Sequence, residues 1–552
     1  MSGAPADADI ASDELANHKN SWEYKALSHQ NILDNAVPIA QGYNSSSHNA
    51  FNSSAYSSIV YIDPNHTLSM FEQLEIGVRN FELDVHWTWQ TKDIPNGDAL
   101  LLCHSRDQRV GCSGLERYFS DAVHEINHWL RRNPNEVVYL GFEDFWADNE
   151  DKMIQALAAV DDLIYKPGSC TNFQQVATTL TEEEVLRAGK QLVLLNGDCA
   201  TSNWAGYAFQ GGWGYTSIEA ATADNCLTAN ASWNGAGVQR IFEQDTFFGN
   251  LGTALGLADD NGLFSDETIA KAQRCGVNQI AYDKLVIGDP GLKASIWSWD
   301  INQPDDYASN EDCAESWGNG RFNDLICSAS MRFACKTTDG RNWAISDIPN
   351  SHSEANGEFA CQALGAQWHF AVPTNSMQNE LLKNAKAAAG VERVWLNYND
   401  TVAEGVWTTP QHTQNYNPLL NADFKEFNLK HDTNKCLDVA GAGTANGSNV
   451  LLWDCHGGDN QKWVWDAAGR LRPGHAPQMC LDIEGNIHAV GQNIVIRDCN
   501  DPTVPTWVEI NGNLYAQTTN VVITSGSGAN GSNVYTDRPA DTTNKIWYHG
   551  FR

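Results

Sequence analysis

From about residue 24 to residue 300, short apolar runs alternate with segments of helical period. The runs are Val37–Ala40, Val78–Val85, Ala99–Leu102, Val137–Phe142, Gln191–Leu195, Gln279–Tyr282 and Ser295–Trp299. They are continuous rather than alternating, as in strands covered on both faces. Helix-like patterns such as Gly114–Arg132 and Asp151–Val160 lie between them. This alternation predicts an α/β architecture, a parallel sheet closed into a TIM-type (β/α)8 barrel. Residues 200–265 are rich in Gly, Asn and Trp, which leaves the strand count open. The texture changes over 301–412, with four cysteines and several tryptophans, and 413–423 is a polar connector. From 424 to 552 three short all-β units recur, marked by Cys436-Leu-Asp438, Cys480-Leu-Asp482 and a cysteine-free third copy. Asn446–Val450 repeats at 530–534, which signals a threefold repeat.

A chain of 552 residues exceeds one core, so a multidomain protein is expected. A net charge of −33 excludes nucleic acid as a natural partner. It also repels anionic membranes unless divalent cations bridge the two, and it suits a soluble extracellular protein. The 14 cysteines are even in number and lack zinc-ligand spacing, so disulfides and secretion are expected. Residues 1–20 show no apolar signal segment, so a mature form with a disordered N-terminus, residues 1–23, is expected.

The candidate chemistry gathers at strand ends. Glu82 and Asp84 sit two apart on one strand and point to one side. Paired carboxylates need a cation or a shared proton. His48-Asn49 follows the first run, His104 the third, and Glu143 ends the fourth. In a barrel all of these reach one face, the C-terminal one. Glu82, Asp84, Glu143 and the Asn49 carbonyl form a hard all-oxygen set suited to Ca2+, leaving both histidines free for acid–base work.

These segments, Ser47-His48-Asn49, Glu82-Leu-Asp84, His104-Ser105 and Phe142-Glu143, resemble the X-region barrel of phosphatidylinositol-specific phospholipase C. In simpler bacterial members an arginine beside the second-strand acid replaces the metal. Here Glu-Leu-Asp-Val-His carries none, so the chain is similar to the calcium-dependent branch. The resemblance implies attack of inositol O2 on phosphorus, with diacylglycerol leaving. It assigns His48 to the nucleophile or phosphate, His104 to the leaving oxygen, and Asn49, Glu82, Asp84 and Glu143 to calcium. Lys190 is a candidate phosphate contact. Glycerophosphodiester phosphodiesterase, with its His-Arg and His-Asp motifs, is the alternative enzyme.

The C-terminal repeat resembles the ricin-type β-trefoil, and its first unit carries Asp438, Trp453 and Asn460-Gln461-Lys-Trp463. A carboxylate and an aromatic face are what sugar recognition requires. The second unit has Arg497 in the aromatic's place, and the third lacks the Asp, so one sugar site is expected. Residues 301–412 resemble an α+β C-type-lectin-like domain with its halves exchanged. Gln303-Pro-Asp305, Glu311-Asp-Cys313 and Asn323-Asp324 form its usual ending and precede Cys361 and Trp395–Asp400 from its usual beginning. That permutation implies Cys313–Cys327 and Cys335–Cys361 bridges, and Gln303, Asp305, Glu311, Asn323 and Asp324 as a second calcium site. Cys103–Cys112 would brace the second histidine loop, whereas pairing among Cys170, Cys199, Cys226 and Cys275 stays open.

The combined expectation is a secreted, monomeric, calcium-dependent phosphodiesterase. Its substrate would be phosphatidylinositol or a glycosylphosphatidylinositol, reached by peripheral membrane contact and by glycan binding. A carbohydrate-binding adhesin or toxin with an inactive barrel is the alternative from a different class.

Overall fold

The computed structural model describes residues 13–56, 64–90, 97–103, 112, 115–133, 135–145, 149–196, 201–212, 214–224, 226, 237–245, 262–338, 340–401, 404–409, 425–429, 432–465, 469–476, 478–487, 489–499, 501, 503–510, 513–516, 521–538 and 547–549. The chain divides into two compact units, Met1–Glu125 with Val137–Asn415, and Ile126–Glu136 with Tyr416–Arg552.

The first unit is organised by eight parallel strands. They are β1 (Asn44–Ser47), β2 (Asn80–Trp89), β5 (Val138–Phe145), β6 (Leu192–Asn196), β7 (Phe209–Gln210), β8 (Gly214–Tyr215), β9 (Gln239–Phe242) and β10 (Gln279–Tyr282). Neighbours in this order pair except β7 and β8, which no pairing joins among the described residues, and β10 pairs back onto β1. The result is a half-barrel of parallel sheet, open at one seam. The apolar runs of β5 and β6, Val138–Leu140 and Leu192–Leu195, are almost fully buried, as strands covered on both faces must be.

Three strand assignments change. Val37–Ala40 contributes to a 3-10 turn (Ile39–Gln41), and the first strand is instead the polar Asn44–Ser47. Its side chains are buried, and those at its two ends are paired: Ser47 Oγ donates to Gln73 Oε1 (2.6 Å) and Asn44 Nδ2 to Glu182 Oε1 (3.2 Å). Ala99–Leu102 lies in β3 (Asp98–Leu102), which runs antiparallel to β2 and continues to β4 (Arg117–Tyr118), so it is not a barrel strand. Ser295–Trp299 is not a strand either. Trp299 bridges to Phe322 in the next region, and β10 is the last strand of the barrel. Residues 13–23, expected to be disordered, include a helix, Asp13–Lys19, and the Ser21-capped start of another, Trp22–Asp34.

Residues 301–409 form two small sheets in the same unit. β11 (Cys313–Ser316) lies between β12 (Phe322–Leu325) and β16 (Val394–Asn399). β13 (Ala334–Thr337) lies between β14 (Trp343–Ile345) and β15 (Trp368–Phe370). Disulfides Cys313–Cys327 and Cys335–Cys361 are both present, as is Cys103–Cys112, and Cys226 pairs with Cys275.

The second unit contains the all-β repeat. Its core draws Leu437 and Trp463, Leu481 and Trp507, and Leu514 and Ile523 from successive units. The pseudo-symmetry is visible in two indoles: Trp463 Nε1 donates to Leu437 O and Trp507 Nε1 to Leu481 O, both at 2.9 Å. Cys436–Cys455 and Cys480–Cys499 staple the first two units with the same separation of 19 residues.

Candidate active site

The register brings chemistry to one end of the half-barrel. Ser47 of β1 pairs with Phe81 of β2 and with Tyr282 of β10. The following residues, His48, Glu82 and Asp283, therefore share a level at the C-terminal edge. Asn49 and Lys284, just after His48 and Asp283, adopt left-handed backbone (φ 50° and 53°), which turns the chain away from both strand ends.

His48 Nδ1 lies 3.2 Å from Asp283 Oδ1, and its Nε2 lies 3.9 Å from Glu82 Oε2. An ionised carboxylate only accepts, so Nδ1 carries the proton and Nε2 is the basic atom. The ring packs against Phe242. Burial disfavours the imidazolium, but the Asp283 hydrogen bond and the Glu82 charge outweigh it, and the His48 pKa stands above that of a free imidazole. Burial likewise opposes the Asp283 charge, yet contact with His48 holds its pKa below the ordinary value.

Arg240, on β9 and fully buried, grips Glu82 with both guanidinium ends: Nη1 to Oε1 at 3.0 Å and Nη2 to Oε2 at 2.7 Å. Burial alone would raise the Glu82 pKa, but Arg240 overrides it and brings it to about 2. Tyr215, exposed on β8, accepts a further Arg240 N–H at 3.3 Å. Just after β9, burial pushes Glu243 up to about 8.

In the repeat, Asp438 Oδ2 accepts from Gln461 Nε2 (2.7 Å) and Asn460 Nδ2 (3.0 Å), while Trp453 stands exposed. In the second unit Arg497 Nε lies on Asp482 Oδ2 at 2.5 Å and takes that carboxylate for itself.

Residues 8–289 match the family described as the Rv2075c PI-PLC-like domain. The chain belongs to that family. Residues 425–547 match the ricin-type beta-trefoil lectin domain. The uncharacterized protein Rv2075c of Mycobacterium tuberculosis (strain ATCC 25618 / H37Rv) is 26% identical over 404 residues, covering 68% of this chain and 80% of that protein. The alpha-N-acetylgalactosamine-specific lectin of Patiria pectinifera is 37% identical over 65 residues, 11% of this chain and 38% of the lectin. Among solved structures, the designed threefold-symmetric protein ThreeFoil aligns at 26% identity over 23% of this chain and 97% of its own, with a TM-score of 0.21.

The PI-PLC-like domain supports a phosphodiesterase-type enzyme, and the trefoil supports carbohydrate binding. Within the PI-PLC-like domain, two residues central to the site were not foreseen. Asp283 is an acid directly after the apolar run Gln279–Tyr282, and Arg240 is a lone cation inside Val238–Phe242. Charges at those places in buried strands are the signal that would have found them.

The expected calcium set fits in part only. Asp84 is buried, and register sets Glu143 opposite it, although the Glu143 side chain lies outside the described residues. Glu82 does not fit, because both of its oxygens are engaged by Arg240, whose charge would sit against a bound cation. Asn49 turns its backbone N–H toward Glu82 Oε2 (3.4 Å). His104 lies outside the described residues; its predecessor Cys103 donates its N–H to the Asp84 carbonyl at 3.2 Å. Lys190 precedes β6 and bonds Asp162 O, which puts it at the opposite end of the strands from His48.

Of the second calcium set, Asp305, Glu311 and Asp324 bring carboxylate oxygens within 4.8 Å of one another. Asn323, next to Asp324, gives its amide nitrogen to Glu315 at 3.0 Å. Gln303 precedes a cis proline, and its Oε1 is buried.

Proposed function

We propose that this chain cleaves the phosphodiester of phosphatidylinositol or a glycosylphosphatidylinositol. The observation that carries the reading is the His48–Asp283 dyad beside the Arg240–Glu82 pair. His48 Nε2 takes the proton from inositol O2 as O2 bonds to phosphorus. Asp283 and Glu82 stabilise the imidazolium that results. His104 gives a proton to the glycerol oxygen as its bond to phosphorus breaks, leaving a cyclic inositol phosphate and diacylglycerol. Reversal of the two histidine roles then admits water. Arg240 supplies fixed positive charge near the site, the part expected of calcium, and Tyr215 offers an exposed ring beside it.

The test is chromatography of the water-soluble product from phosphatidylinositol. Cyclic inositol phosphate, lost in His48→Ala and retained in chelator, supports this reading. A strict calcium requirement would overturn the role given to Arg240. Release of glycerol phosphate from glycerophosphodiesters would favour the alternative enzyme, and no turnover of either would leave a carbohydrate-binding protein.

The supporting modules extend the proposal. Asp438, Trp453, Asn460 and Gln461 bind one sugar, and residues 301–409 form a permuted C-type-lectin-like domain. Support for that domain is the pairing of β11 with strands from both halves and the two bridges. Asp305, Glu311 and Asp324 there are proposed to hold calcium. The disulfides favour action outside the cytoplasm, as a monomer that reaches membranes peripherally.

A further inference from the structure

The short segment Pro64–His66, between β1 and β2, crosses the ends of both strands that carry the dyad. Asn65 and His66 are 1% and 0% exposed, and the phosphodiester chemistry above uses neither. Asn65 Nδ2 donates to Asp283 Oδ1 at 2.8 Å, the oxygen that also receives His48 Nδ1. The amide orientation is forced, because a carboxylate only accepts and Asn65 Oδ1 receives Asn52 Nδ2 at 2.6 Å. Asn52 is itself anchored to the His48 loop: its N–H donates to Asn49 O at 2.9 Å, and its carbonyl accepts from His66 N at 3.0 Å.

His66 completes the brace. Its Nε2 donates to the His48 carbonyl at 2.7 Å, and burial lowers its pKa to about 4, so it serves as a neutral fixed donor. On the other strand, Lys284 N donates to Asn65 O at 2.6 Å, one residue past Asp283. The remaining Asp283 oxygen is held by Asp245 N at 2.8 Å. The side-chain amide and the carbonyl of Asn65 thus tie Asp283 and its strand to the loop that carries His48.

We propose that Asn65 is a positioning residue for the reaction: it fixes the Asp283 carboxylate so that Oδ1 meets His48 Nδ1, and it acts only through that pair. The inference rests on the function proposed above, but its first readout needs no substrate. In the full-length protein, the His48 Nδ1 proton shared with Asp283 should give a downfield proton resonance, assigned by its loss in His48→Ala. Asn65→Leu should lose or broaden that resonance. On phosphatidylinositol, kcat should fall roughly 10- to 100-fold with KM within about twofold, the loss that a misplacement of about 1 Å brings.

If Asn65→Leu does not fold, Asn52→Ala decides, since it frees Asn65 Oδ1 without touching the dyad. It should shift or broaden the same resonance and lower kcat by several-fold. An unchanged resonance with unchanged kcat in a folded variant overturns the proposal. A raised KM with unchanged kcat also overturns it and makes Asn65 a substrate contact. A wild-type protein that shows the resonance but turns over no phosphodiester sinks the proposed function and leaves the bracing role standing.

Discussion

His48 Nδ1 and Asp283 Oδ1 meet at 3.2 Å although 235 residues separate them in the chain. Their contact exists because β10 pairs with β1 and closes that side of the half-barrel. Asp283→Asn removes the charge that holds the tautomer, so kcat/KM should fall by about 10²- to 10⁴-fold, as for other positioned acid–base groups. The sign of the pH effect follows from the same contact. Asp283 raises the His48 pKa against the pull of burial. A general base must be neutral, so the acidic limb of the rate profile lies above the ordinary histidine value and moves to lower pH in Asp283→Asn. A limb that stays in place would exclude His48 as the base.

Arg240 and Glu82 form a buried bidentate pair, whose two members are of unequal consequence if broken. Arg240→Ala strands an uncompensated anion and should destabilise the unit by about 3–5 kcal/mol. Arg240→Lys keeps the charge but loses the fork, and should fold while losing most activity. Urea titrations paired with activity in chelator separate the two effects. Activity in Arg240→Lys that calcium restores would return the compensating role to the metal.

The acid limit of stability follows from the same pair. The folded Glu82 pKa of about 2 lies below its ordinary 4.5. Its contribution is therefore complete above pH 4.5 and lost as pH falls from 4.5 towards 2. The stability gap between wild type and Glu82→Gln should narrow between pH 4.5 and 3, below the range in which His48 titrates, as read by urea unfolding at each pH. A gap that widens on acidification would contradict the ion pair.

Much of this was legible in the chain, and the rest failed for physical reasons. Runs such as Leu192–Leu195 announce strands because a strand buried on both faces has no polar positions. Asn44–Ser47 is equally buried but wholly polar, with Asn44 and Ser47 paired internally, so hydropathy alone misplaces the first strand by several residues. The Glu82–Asp84 spacing announces the need for a compensating charge and points to calcium, whereas the partner of Glu82 is Arg240, 158 residues away on β9, which no local spacing reveals. The Cys436–Cys455 and Cys480–Cys499 bridges were readable because each is local and the spacing repeats.

Asp305, Glu311 and Asp324 give the 301–409 region its own test. Burial and mutual repulsion raise the pKa of Glu311 and of Asp324, a cost that a divalent cation would relieve. Calcium at about 100 times its dissociation constant should stabilise the region by about 2.7 kcal/mol. Asp324→Asn should abolish the calcium-dependent rise in melting temperature. An equal rise in that variant would place the ion elsewhere.

The two carboxylates of the trefoil differ in what surrounds them. Asp438 is oriented by the amides of Asn460 and Gln461, with the half-exposed His456 Nε2 3.4 Å from the same oxygen, beside the exposed Trp453, and no arginine locks it. Asp482 is neutralised by Arg497, so a sugar would have to displace an ion pair to reach it. Calorimetry with a sugar selected on a glycan array should give one site per chain. Asp438→Ala should remove it, and Asp482→Ala should leave it within about twofold, because Asp482 belongs to another unit of the repeat and is already engaged by Arg497. Arg497→Ala alone should not create a second site, since the aromatic face is still missing there. Two sites in the wild type, or binding that survives Asp438→Ala, would move recognition away from the first unit.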